Sequence, residues 1–180
     1  ASVNDGTTRP GEGAHHTTDE TNGNIMTWLI TGGAGYIGAH VVRAFAAAGI
    51  RTVVLDDLSS GHRSFIADDQ DFVEGTLLDV PLLDRVFSEY RFAGIVHVAG
   101  YKYAGESVKM PVHTYEQNVT ATTNLLAAAQ RAGVSRFVFS SSAAVYGTPD
   151  VELVTETTAT RPESPYGETK LIGEWLLADQ

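Results

Sequence analysis

Trp28-Leu29-Ile30-Thr31-Gly32-Gly33-Ala34-Gly35-Tyr36-Ile37-Gly38-Ala39-His40 is the stretch that decides the fold. It opens on an apolar run short enough for a buried strand, turns at Thr31 into two glycines, and continues as a helix-forming segment from about Ile37 to Ala48. Gly49 stands where such a helix ends. Between strand and helix, Gly32, Gly35 and Gly38 recur every third residue. An ordinary tight turn also tolerates glycines. Here the spacing does more: one glycine permits the turn, one lets backbone approach a pyrophosphate, and one lets helix and strand pack closely. The helix start then offers unpaired N–H groups and a positive dipole end to phosphates. The stretch therefore reads as a dinucleotide-binding loop.

Working outward, the pattern repeats. Arg51–Leu55 reads as a second strand, Asp71–Glu74 as a third, Gly94–Ala99 as a fourth and Arg136–Ser140 as a fifth. Helical stretches fall at Val80–Tyr90, with Pro81 in the first turn, at Val112–Arg131, stopped by Gly133, and at Tyr166–Ala178. Apolar strands alternating with helices predict an α/β fold, a doubly wound parallel sheet covered on both faces. Residues 26–180 form this domain. Residues 1–25 are rich in Thr, Gly, Asp, Glu and Asn and bury too little apolar surface to order, so they read as a disordered tail. His15 and His16 read as a solvated pair in that tail rather than as metal ligands. Met26 directly precedes the first ordered segment and reads as the natural start, with the tail as upstream sequence.

Asp56 ends the second strand and follows Gly38 by 18 residues, close to the roughly 20 at which a carboxylate meets the adenosine ribose. Its charge favours NAD over NADP, because it repels a 2′-phosphate. Asp57 reads as a turn residue, and Arg63 as no match for a 2′-phosphate beside Asp56.

Composition narrows the partners. The 180 residues carry 12 Lys and Arg against 22 Asp and Glu, a net charge of −10, which disfavours nucleic acid. No cysteine is present, which excludes disulfides and thiolate metal sites. No run approaches the roughly 18 apolar residues of a membrane span, and no signal-peptide pattern opens the chain. A cytoplasmic protein with no metal and no membrane contact is expected.

Tyr166 and Lys170 sit four residues apart and share a helix face. A phenol titrates near 10 when free. A neighbouring ammonium and the positive charge of an oxidised nicotinamide both favour its phenolate, so Tyr166 is a candidate general acid and base. Ser140, Ser141 and Ser142 follow the fifth strand, at the carboxyl edge where such sheets bind ligands. A hydroxyl there can hold a substrate oxygen, although strand-end turns also favour serine.

These residues resemble the extended short-chain dehydrogenase/reductase family, and within it the UDP-glucose 4-epimerase branch. The resemblance runs from about Thr27 to the chain end. It is carried by TGGAGYIGAH (31–40), VVLDDLSSGH (53–62), HVAGYKYAGESVKMP (97–111), NVTATTNLL (118–126), FVFSSSAAVYG (137–147) and SPYGETK (164–170). The glycine loop and the Tyr-x-x-x-Lys pair are shared by many branches. The segments AGYKYAGESV and SSSAAVYG are more specific.

The resemblance implies a Rossmann-type fold and bound NAD. It places Gly32, Gly35, Tyr36, Ile37 and Gly38 at the pyrophosphate, Asp56 at the ribose, Lys102 at the cofactor's phosphate or ribose region, and Asn118 in shaping the site. Ser142 would bind the sugar's 4-hydroxyl, Tyr166 would act as base, and Lys170 would hold the nicotinamide ribose and tune Tyr166. A UDP-hexose would be epimerised at C4 by hydride removal and return. Many members carry an acidic residue near adenine after the third strand. Here Glu74-Gly75 runs into Thr76 and Leu77, and Thr76 is the candidate replacement.

The family also runs well beyond this length, so most of the UDP-sugar pocket is expected outside this stretch, which by itself should show weak activity or none. A homodimer built on Val112–Arg131 and the helix after Tyr166 is implied as well. Three other readings stay open. One is an epimerase of different sugar specificity, another a non-catalytic NAD-binding module. An interaction protein presenting those two helices is the third, whereas a 4,6-dehydratase would place an Asp-Glu pair where Ala143 and Ala144 stand and so lacks its acid and base.

Overall fold

The computed structural model describes residues 27–180. The tail read at 1–25, its histidine pair and Met26 lie outside the described residues.

Five strands form one parallel sheet: β1 (Thr27–Thr31), β2 (Arg51–Asp56), β3 (Asp71–Glu74), β4 (Phe92–His97) and β5 (Phe137–Phe139). Their order is β3-β2-β1-β4-β5, so the chain winds outward from β1 in one direction and then in the other. The crevice where the direction reverses opens between the carboxyl ends of β1 and β4.

The period of two along each strand divides the core. Leu29, Val53, Leu55 and Ile95 pack on one face against Leu82, Leu83 and Val86 of α2 (Val80–Glu89) and against Ala121, Leu125, Ala128 and Ala129 of α5 (Ala121–Arg131). Ile30, Val54 and Val96 point the other way, onto Val42 of α1 (Tyr36–Ala47) and Ile66. Helices thus cover both faces, and the doubly wound expectation holds. α1 stops before Gly49 (φ +70°) and α5 before Gly133 (φ +71°), the two positions at which left-handed backbone ends the helices read from sequence.

Most element ends fall within one residue of the sequence reading, and the two larger differences have physical reasons. β4 starts at Phe92 and ends at His97 rather than running to Ala99, because the N–H groups of Val98 and Ala99 both turn back to Thr31 O at 3.1 Å. The single helix expected over 112–131 is instead α4 (Pro111–Tyr115), a π-turn (Glu116–Thr120) and α5, run together. A short α3 (Ala104–Ser107) precedes them and was not foreseen. Last comes α6 (Pro165–Ala178), laid over β5. Gly173 lets it approach, since a Cβ there would overlap the Phe139 ring.

Candidate active site

The crevice holds a cavity of about 530 Å³, within the usual range for a small-molecule site. Its floor is the glycine loop. Gly32 has φ +72°, and a Cβ there would lie 2.5 Å from the Ala99 nitrogen, so only glycine lets β1 pass beneath the end of β4. A Cβ on Gly38 would overlap the Gly32 carbonyl. Gly35, Tyr36, Ile37 and Gly38 all line the cavity at the start of α1. No side chain caps that helix, and no acidic residue stands in its first turn. Its N-terminal amides therefore face the cavity free of a competing carboxylate, which suits a bound pyrophosphate.

Asp56 lines the next stretch of wall and is only 7% exposed. Its Oδ2 accepts from Ala34 N–H and its Oδ1 from Leu58 N–H, both at 2.9 Å. The carboxylate thus anchors the glycine loop and still has lone pairs for ribose hydroxyls. The second bond helps hold Leu58 in the left-handed region at φ +57°. Asp57 accepts from Ser59 N–H at 2.9 Å, the turn role read from sequence. Arg63 is occupied by the Ile66 carbonyl (3.1 Å) and the Phe72 ring (5.0 Å). Thr76 and Leu77 line the cavity, as does Lys102, whose ammonium lies 5.8 Å from the Tyr103 ring centre.

Tyr166 and Lys170 enter from α6 and line the same cavity. Ser164 starts that helix, its Oγ accepting from Gly167 N–H at 3.2 Å. Lys170 is 6% exposed, donates to Ser140 O at 2.9 Å, and lies 4.9 Å from the Phe139 ring centre and 5.9 Å from that of Tyr166. Burial lowers its pKa to about 8.

Each serine after β5 has its own task. The Ser140 carbonyl holds Lys170, and the Ser141 hydroxyl binds the Glu174 carboxylate. Ser142 caps the 3-10 turn Ala143–Tyr146, its Oγ accepting from Ala144 N–H at 3.2 Å, which leaves its own proton to donate. Ser142 stands outside the cavity lining, whereas Ser140 is part of it.

Asn118 is buried behind the wall rather than in it. Its Oδ1 accepts from Tyr101 N–H at 2.7 Å, and its Nδ2 donates to Tyr101 O at 3.0 Å and to Thr169 Oγ1 at 2.9 Å. It clamps the segment carrying Lys102 to the helix carrying Tyr166. The π-turn brings it there.

Several further residues, to which the sequence alone assigns no role, line the wall. Ser59, Ser60 and Gly61 follow the ribose acid after Asp57 and Leu58, and their turn composition is a usable signal. Tyr101, His113 and Gln117 also line the cavity, but only tertiary folding brings them to it. His97 was missed as well. It is 2% exposed, with Nδ1 2.6 Å from Thr31 Oγ1 and Nε2 2.9 Å from Thr122 Oγ1. Thr122 spends its proton on the Asn118 carbonyl at 2.5 Å, so Nε2 must carry the imidazole proton and Nδ1 must accept from Thr31. Burial, with the Lys170 charge second, lowers its pKa to about 3 and keeps it neutral.

The model of the NAD dependent epimerase/dehydratase family matches residues 28–180, which span the loop, Asp56 and the Tyr166/Lys170 pair. The chain belongs to that family. It is 44% identical to the UDP-glucose 4-epimerase of Azospirillum brasilense over 162 residues, covering 90% of this chain and 46% of that protein. It is 47% identical to that of Rhizobium leguminosarum bv. trifolii over 153 residues, covering 85% and 46%. Among solved structures, the Brucella ovis UDP-glucose 4-epimerase in complex with NAD superposes with a TM-score of 0.82 at 42% identity, over 86% of this chain and 47% of that one. The Bifidobacterium longum enzyme in complex with NAD+ and UDP gives 0.81 at 34% identity, over 86% and 48%. The chain thus spans about half the length of the curated relatives it matches. Among the described residues no helix is long and apolar enough to cross a membrane, and no cluster of potential metal ligands occurs.

Proposed function

We propose that residues 26–180 form the NAD-binding and catalytic unit of an enzyme that epimerises C4 of a UDP-hexose, interconverting UDP-galactose and UDP-glucose. One observation carries the reading. An acid/base pair, Tyr166 and the buried Lys170, lines the same cavity as an uncapped glycine-loop helix and a ribose-facing Asp56. The similarity to UDP-glucose 4-epimerases supports the sugar.

In this reading Gly35, Tyr36, Ile37 and Gly38 receive the pyrophosphate, Asp56 the adenosine ribose, and Thr76 and Leu77 the adenine side. Lys102 and Lys170 meet the cofactor's ribose and phosphate region. NAD, when bound, supplies the acceptor and later the donor of hydride. Tyr166 takes the proton of the C4 hydroxyl as C4 is oxidised and returns it on reduction of the opposite face. Lys170 stands beside it on α6, its ammonium 5.9 Å from the Tyr166 ring centre. Ser142 donates its free hydroxyl proton to the sugar's 4-oxygen, and Asn118 holds the cavity wall. Ala143 and Ala144, in the turn after Ser142, offer no acid or base for dehydration.

Positioning the hexose draws on binding energy from the whole substrate pocket. The 180 residues alone are therefore expected to bind NAD and to turn over weakly or not at all. A homodimer belongs to the same proposal. Chromatography of UDP-galactose incubated with the chain and NAD tests the function. UDP-glucose that disappears in Tyr166→Phe supports it. Tyr166→Phe turning over at the wild-type rate would remove Tyr166 from the chemistry.

A further inference from the structure

An α-helix begins with backbone N–H groups that find no acceptor within it. In α6 the first residue, Pro165, has no N–H. Gly167 N–H is capped by Ser164 Oγ at 3.2 Å, and Glu168 N–H reaches Ser164 O at 2.9 Å. One amide remains, that of Tyr166. Its acceptor comes from 59 residues away: Ser107 Oγ, at 3.1 Å.

Ser107 closes α3 and is 0% exposed. Its hydroxyl proton is committed to the Ala104 carbonyl at 2.6 Å, so its oxygen can only accept from Tyr166. The Tyr166 carbonyl is held too, by the Thr169 hydroxyl at 2.7 Å, and that hydroxyl accepts from Asn118 at 2.9 Å. Both backbone polar atoms of Tyr166 are thus tied by side chains. Ser107 and Lys102 lie on one short segment, whose Tyr101 backbone Asn118 clamps. A single stretch of chain therefore touches the cofactor side of the cavity and the backbone of the proposed base.

We propose that Ser107 is a positioning residue for Tyr166: its buried hydroxyl fixes the first turn of α6 at a set distance from the cofactor cradle. The proposal rests on the reading of Tyr166 as acid and base. It also gives the segment AGES (104–107) a task that its sequence does not announce.

Two measurements on the full chain test it. In the first, amide hydrogen exchange by NMR, Tyr166 N–H should be protected although its place in the helix gives it no helical acceptor. Ser107→Ala should speed its exchange by about tenfold, leaving Gly167 and Glu168 unchanged. A wild-type Tyr166 amide that exchanges as fast as an unbonded one overturns the proposal without any variant.

In the second, Ser107→Ala should lower kcat by about tenfold while NAD affinity stays within about twofold. Wild-type kcat in Ser107→Ala, or kcat and NAD affinity falling in step, overturns the positioning role. Should Ser107→Ala not fold, Ser107→Cys, nearly isosteric and a poorer acceptor, takes its place. Loss of Tyr166 protection is then expected, and full protection with full kcat overturns the proposal. A wild-type chain with no turnover is an outcome expected of these 180 residues by themselves, and the exchange arm then decides for or against Ser107.

Discussion

Lys170 shows a site residue held against its own stability. Burial lowers its pKa to about 8. Below that pH it is charged in both folded and unfolded chains, and the folded one bears the desolvation in full. Between about 8 and roughly 10.4 the unfolded chain holds a proton that the folded one lacks, so stability rises with pH across that window. Methionine has a similar shape and no charge. Lys170→Met should therefore raise folding stability at pH 7 by about 1–2 kcal/mol and by less at pH 10, while abolishing turnover. Thermal unfolding at the two pH values checks this. Destabilisation at pH 7 would mean that the Ser140 carbonyl and the flanking rings already compensate the charge. His97 acts with the same sign in a more acidic window. With its pKa lowered to about 3, it is neutral in both states above about 6.5. As pH falls from there toward 3 the unfolded chain takes the proton first, and stability is lost. His97→Asn should flatten that acid limb, as read by circular dichroism between pH 6.5 and 3.5. An unchanged limb would assign acid sensitivity to the carboxylates instead.

The glycine loop and the helix it opens form a unit whose design runs against helix propensity. At Gly38 alanine would favour α1 by about 1 kcal/mol on propensity alone. Its Cβ, however, would overlap the Gly32 carbonyl and push the loop away from the crevice. Gly38→Ala should therefore weaken NAD binding by at least about tenfold with helix content kept. Gly105→Ala is the matched control, because no heavy atom lies within 4 Å of a Cβ placed there. Calorimetric titration of both variants decides between a loop effect and a general cost of losing glycine. Elements with local causes were legible in the sequence. Apolar runs gave the strands, glycines the ends of α1 and α5, and Pro81 the start of α2. What stayed hidden depends on distant partners. The π-turn at Glu116–Thr120 looks like ordinary helix in sequence, and its use lies in presenting Asn118 to Tyr101. The early end of β4 follows from a bond to Thr31, and α3 is a four-residue turn whose purpose is the buried Ser107. Likewise His97 reads as any polar residue in a strand until Thr31 and Thr122 close around it.

At the scale of the whole molecule, the proposed homodimer has a candidate seam in apolar side chains exposed among the described residues. α4 and α6 are joined by the Tyr115 hydroxyl on the Glu168 carboxylate at 2.5 Å, a bond that raises the Tyr115 pKa to about 12 and keeps the phenol protonated. Beyond that seam Val112 is 82% exposed, Val108 62% and Trp175 58%. In the proposed homodimer the same patch meets its symmetry mate, so each substitution acts twice. Burying one valine is worth roughly 1.5–3 kcal/mol, and a carboxylate in its place adds like-charge repulsion between copies of a chain that already carries a net charge of −10. Light scattering at micromolar concentration should give a dimer mass for the wild-type chain and a monomer mass for Val112→Asp, with the melting temperature of the monomeric fold retained. A wild-type monomer would overturn the dimer. A Val112→Asp chain that still dimerises would move the interface away from α4.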